Sequence, residues 1–130
     1  MNSAATRNSM ARHDDLLAFI DDMATEFPGF TVVAINQKEP NPIGVPITEI
    51  VADDSDDEVC LVRARNAQSD VGMNLSVFRE DLRAKIQTHP DYSLMVSEWF
   101  EIDDGYTARA DLPLNSVELN EPAKQFLLLY

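Results

Sequence analysis

Apolar and polar positions alternate along this chain in two rhythms. Between Asp14 and Phe27 the apolar residues Leu16, Ile20, Met23 and Phe27 recur at helical spacing, with Leu17 and Ala24 widening the stripe. Asp14 and Asp15 sit where the helix dipole favours acids, and Pro28-Gly29 ends the element. A second helix is predicted over Leu75–Gln87, capped by Asn74 or Ser76, with Leu75, Phe78, Leu82 and Ile86 as its buried stripe. Extended segments are predicted at Phe30–Asn36, Ile43–Ala52 and Val59–Arg65. Pro46 argues for an edge or a bulge in the second. In the third, Cys60, Val62 and Ala64 form the better core face, although Val59 and Leu61 are poorly suited to solvent.

The sharpest local pattern is a hairpin. Ser93–Ile102 and Tyr106–Leu114 read as strands joined by Asp103-Asp104-Gly105, with glycine suited to a left-handed turn position. That register pairs Ile102 with Tyr106, Phe100 with Ala108, Glu98 with Ala110 and Val96 with Leu112 on one face, which is largely apolar and reads as core. The other face pairs Trp99 with Arg109 and Ser97 with Asp111, setting Trp99 beside Arg109 for a cation–π contact. Asn120-Glu121-Pro122 can cap a short last helix through Phe126–Leu129, with a terminal strand as the alternative. The predicted class is α+β. An antiparallel sheet carries helices on one face, in the order helix, three strands, helix, two strands, helix. Residues 1–12 read as a flexible tail and residues 13–130 as one domain.

Charge changes the picture by exclusion. The chain has 23 acids against 10 bases, a net −13, with 12 acids and 5 bases in residues 1–65 and 11 and 5 in residues 66–130. An even field of that sign repels nucleic-acid backbone and anionic membrane. No apolar run approaches the roughly 20 residues that span a bilayer. The start of the chain lacks the pattern of a secretory leader. With a lone cysteine in an apolar run, these points favour the cytoplasm.

Candidate chemistry is sparse. His13 and His89 have no pairing motif. An EF-hand loop begun at Asp53 would place Glu58 at the glycine position and Ala64 at the final glutamate position. Cys60 reads as a small buried hydrophobe, and the four glycines form no phosphate loop. Glu98 falls on the apolar face of its strand and calls for a base or a sheet edge. No catalytic, metal or cofactor residues are assigned. The positive signal is for binding: Trp99, Arg109 and Met95 share one sheet face, and such residues are enriched at interface centres.

The segment Glu101-Ile102-Asp103-Asp104-Gly105-Tyr106-Thr107-Ala108-Arg109-Ala110-Asp111-Leu112-Pro113-Leu114, with Leu16-Leu17 ahead of Phe30, resembles the secretion-chaperone-like fold. That fold includes type III secretion effector chaperones and a bacterial family of sensory-transduction regulators. The resemblance implies a non-catalytic homodimer that holds an extended partner-protein segment, with a final helix at Asn120–Leu129. Leu82, Ile86 and Trp99 would form its dimer seam, and Leu17, Phe30, Val32 and Val33 would meet the partner. The alternatives are an acidic inhibitor or nucleic-acid mimic that captures a basic protein, and a small-ligand binder or enzyme built around a pocket with Glu98.

Overall fold

The computed structural model describes residues 6–8, 13–65, 71–103 and 105–130, with no description of the side chains of residues 6–8 or 101. Ten elements follow one another: β1 (Thr6–Asn8), α1 (His13–Glu26), β2 (Thr31–Ile35), β3 (Val45–Asp53), β4 (Glu58–Arg63), α2 (Leu75–Thr88), β5 (Ser93–Asp103), β6 (Tyr106–Pro113), β7 (Ser116–Asn120) and β8 (Gln125–Leu129). α2 follows its pattern and buries Leu75, Phe78, Leu82 and Ile86. α1 buries Leu16, Ile20 and Ala24 of the expected stripe together with Phe19, which that stripe left out. Leu17, Met23 and, just past the end of α1, Phe27 are half-buried. The Asn74 side chain accepts from the Val77 amide at 2.9 Å and caps α2. Arg83 and Arg79 of α2 both reach Asp21 of α1, which ties the helices together at their solvent side.

The eight strands among the described residues form one mixed sheet in the order β1-β7-β8-β2-β3-β4-β5-β6. β2 runs parallel to β8 and β4 parallel to β5, the latter pair joined through α2 as a parallel crossover requires. The sheet is strongly curled. Leu114 N donates to Leu94 O of β5, and the next amide, Asn115 N, donates to Leu129 O of β8. β8 and β5 lie four strand spacings apart in the sheet order, roughly 19 Å in a flat sheet. Adjacent residues are only about 3.8 Å apart, so the sheet must bend until its two halves meet. β3, midway between β8 and β5 in the sheet, carries a register shift between Ile47 and Glu49, the kind of irregularity that bends a strand. The main core gathers Val32, Ala34, Ile47, Ile50, Val59, Leu61, Val96, Phe126 and Leu128 with the buried faces of both helices.

Three expectations are corrected. The sheet is mixed, with two parallel pairs, and dominates the chain. It is therefore not an antiparallel sheet with a layer of helices on one face. The last element is strand β8, which overturns the final helix of the predicted order. The physical reason lies in the turn before it. Asn120 Oδ1 accepts from the Ala123 amide at 3.3 Å, as a helix cap would, and Lys124 N donates to Glu121 O at 3.0 Å. Lys124 then takes a left-handed φ of 57° and sends the chain back along β7. In β4 the faces are exchanged. Val59 and Leu61 enter the main core, whereas Cys60 and Val62 are buried on the other side of the sheet. Pro46 lies beside the bulge on an interior strand, paired with Val33. Of the segment expected as a tail, Thr6–Asn8 pairs with β7; the remainder, and residues 66–70 of the loop after β4, lie outside the described residues.

Candidate functional site

Strand β5 is eleven residues long, yet only Ser93–Ser97 pairs with β4. From Trp99 to Asp103 its only strand neighbour among the described residues is β6, which is itself the last strand of the sheet. The distal half of the hairpin is therefore a two-stranded arm. Such a ribbon is marginally stable in water unless something covers it. The pairs Phe100–Ala108, Glu98–Ala110, Val96–Leu112 and Trp99–Arg109 have the register read from the sequence. The turn is one pair tighter: Asp103 pairs with Tyr106, and the shift leaves Ile102 as the extra residue. Gly105 takes φ 86° at the tip, a conformation that favours glycine.

Three large apolar side chains stand in solvent on this arm: Phe100 (43% exposed), Ile102 (62%) and Tyr106 (71%). Trp99 is half-buried and carries a cation on its ring, but not the expected one. The Arg65 guanidinium lies 3.9 Å from the ring centroid. Arg109 instead turns towards carboxylates, 3.3 Å from Asp111 and 3.6 Å from Asp53. A cross-strand neighbour sets where a side chain starts. It does not set which charge wins, and two nearby acids outcompete a ring for a guanidinium.

On that same outer face Asp53, Glu58, Cys60 and Asp111 place one donor atom each within 4.8 Å of one another, the donor set that could hold a metal among the described residues. Ser97 donates to Asp111 at 2.5 Å. Burial raises the Cys60 thiol above its ordinary pKa, which keeps it protonated and unreactive at neutral pH. Desolvation raises the Glu58 carboxyl, and its hydrogen bond and repulsion with Asp111 add to the shift. The charged form of Glu58 is thus disfavoured in the native state, a penalty present above its folded pKa and absent below its unfolded one. Glu58→Gln should therefore raise Tm by roughly 1–3 °C at pH 7. The gain should fade below about pH 4, where the unfolded carboxyl is also protonated. Thermal melts across pH check this, and a lower Tm at pH 7 would contradict the repulsion. The acidic run was legible in the sequence. Its convergence with Asp111 was not, because β6 reaches it only through the α2 crossover.

Glu98 faces the inner side of the curled sheet and has its base. Arg63 donates to Glu98 Oε2 at 2.6 Å, Tyr130 OH donates to the same oxygen at 2.5 Å, and Arg63 also bonds to the Tyr130 hydroxyl. Burial and the bond to Glu98 push the Tyr130 phenol well above its usual range. Beside this triad lies a cleft of about 510 Å³ lined by Gln37, Lys38, Leu112, Pro113, Leu114, Asn115 and Tyr130.

The other residues singled out in the sequence are dispersed. Val32 and Leu82 are fully buried and Val33 and Ile86 nearly so. Val32, Leu82 and Ile86 belong to the main core, and Val33 to a small second cluster with Leu127 and Leu129. Leu17 and Phe30 are half-buried against the main core, and Met95 is half-buried on the outer face opposite Pro113. Only Met95, Trp99 and Arg109 share one surface. Phe100, Ile102 and Tyr106 were missed as binding candidates. Ile102 and Phe100 read as core because they alternate with polar residues, and only the short pairing of β4 with β5 exposes them. Comparison with protein-family models, with curated proteins and with solved structures finds no match to this chain.

Proposed function

We propose that this chain is a non-catalytic protein-binding module that grips a partner through the β5–β6 arm. The carrying observation is the arm itself: a hairpin without support from any described strand beyond Ser97, bearing exposed Phe100, Ile102 and Tyr106. An apolar tip on a projecting ribbon is costly to leave in water and is suited to burial against another surface. The field around it selects the partner's character. A net charge of −13 disfavours anionic surfaces and favours a protein whose apolar site is flanked by Lys or Arg. This keeps the partner-holding role that the chaperone-like resemblance implies but moves its seat from β2 to the arm, since Val32 and Val33 are already buried. The single cysteine, held as a buried thiol, supports a cytoplasmic setting.

The test compares wild type with Phe100→Ser/Ile102→Ser in capture from lysate at low and high salt. Both residues are exposed, so the double variant should keep its fold by circular dichroism. Partners retained in high salt by wild type and reduced at least about tenfold in the variant support an apolar grip. Partners captured only at low salt, equally by both proteins, would instead favour the acidic-mimic reading and would remove the arm from the binding site.

A further inference from the structure

The outward edge of β6 is self-complementary in one register, and we infer that it pairs with the β6 of a second copy of this chain. The inference rests on the arm being a protein-binding element, and it names one occupant of that arm, a second copy that is acidic overall but presents Arg109 at the edge where the acidic face favours a base. Among the described residues β6 pairs with β5 on one side and ends the sheet, so no described strand pairs with its outward backbone groups. Two identical antiparallel strands meet about a two-fold axis, which fixes every pair once the central residue is chosen. With Ala110 on the axis, Arg109 faces the second copy's Asp111, Ala108 faces its Leu112, and Tyr106 faces its Leu114.

Each of these pairs fits something already present. Arg109 and Asp111 lie on the same face, so the two-fold exchanges opposite charges twice. The arrival of a second arginine also offsets the acid excess of Asp53, Glu58 and Asp111, which among the described residues hold only Arg109 between them within ion-pair range. Alanines at 108 and 110 let the strands approach without overlap and leave Phe100, the neighbour of Ala108, within reach of the incoming Leu112. Tyr106, the most exposed aromatic residue in the chain, arrives beside Leu114, which lines the 510 Å³ cleft together with Leu112 and Tyr130. Tyr106 stands on the same face of β6 as Leu112, the face that borders this cleft. Centring the axis on Arg109 instead would oppose arginine to arginine and Asp111 to Thr107, which loses the charge exchange.

Single-cysteine cross-linking tests the register, with Cys60 buried and out of reach. Residue 110 on the axis should meet its own copy at a Cα separation of about 4.5–5.5 Å, within disulfide range. Under mild oxidation Ala110→Cys should run mainly as a covalent dimer on a non-reducing gel. Thr107→Cys should stay monomeric, because its opposite residue is Pro113. Sedimentation at physiological ionic strength should give twice the chain mass for wild type and the monomer mass for Ala110→Lys. Wild type sedimenting as a monomer at high micromolar concentration would overturn the inference. So would a dimer in which Ala110→Cys fails to cross-link. Either failure leaves the lysate comparison of the apolar tip free to succeed or fail on its own, so the two readings are separable.

Discussion

Phe126→Ala should lower stability by about 3–5 kcal/mol, the range for deleting a fully buried aromatic side chain. Phe126 has no exposed surface and its ring lies 6.1 Å from that of Phe19 on α1, so β8 is fastened to the first helix at this point. Urea unfolding should show the midpoint falling with little change in slope. The strand assignment adds a sharper expectation. Along β8, Phe126 and Leu128 face the main core, while Leu127 and Leu129 face the small cluster with Val33 and Ile35. Leu128→Ala should therefore cost clearly more than Leu127→Ala. Equal costs would mean that the period-two alternation of a strand does not govern this segment.

Arg63→Met should cost roughly 2–4 kcal/mol, somewhat below the usual figure for breaking a buried pair because both side chains keep some solvent contact. The loss comes mainly from what stays behind. The Glu98 carboxyl would stand on the inner side of the sheet with the Tyr130 hydroxyl as its remaining partner among the described residues. Arg63→Met/Glu98→Leu should recover at least half of the loss, because no carboxyl is then stranded. If the double variant were no better than the single one, the contribution of Arg63 would be packing of its stem and not charge. The triad also joins β4 and β5 to the residue that follows β8, so unfolding rates should rise along with the loss of stability.

How much of this was legible in the sequence depended on whether one period could be heard alone. The helices were readable because Leu75, Phe78, Leu82 and Ile86 repeat against charged neighbours. The body of the hairpin was readable because its alternation held one register from Phe100–Ala108 to Val96–Leu112, while the turn closed on Asp103–Tyr106 instead of Ile102–Tyr106. The runs Val59-Cys60-Leu61-Val62 and Phe126-Leu127-Leu128-Leu129-Tyr130 carry no alternation, since both of their sides are buried. In the first, Cys60 and Val62 are buried as their face predicts, but it is Val59 and Leu61 that join the main core. In the second, Asn120-Glu121-Pro122 offered the chemistry of a helix cap, and that chemistry was used for a single turn. What decided the matter was a parallel partner, β2, far away in the sequence. The candidate surface followed the same rule. Trp99 and Arg109 were placed by local register, whereas the exposure of Phe100 and Ile102 and the convergence of Asp111 with Asp53 and Glu58 depended on where a crossover ended.

The curl of the sheet also sets an order of assembly. β2 obtains its second described neighbour only when β8, about ninety residues further along the chain, has been made. A nascent chain that has emitted α1 to β6 can pair β2 with β3, and β4 with β5, but it leaves β2 with an open apolar edge at Val32 and Ala34. Contacts that span most of the chain close late and slowly, because their loop entropy is lost before the burial that offsets it. Growing chains of this protein should thus carry their aggregation hazard at β2, a strand whose Val32, Val33 and Ala34 the folded molecule buries, until the ribosome has delivered the β7–β8 hairpin.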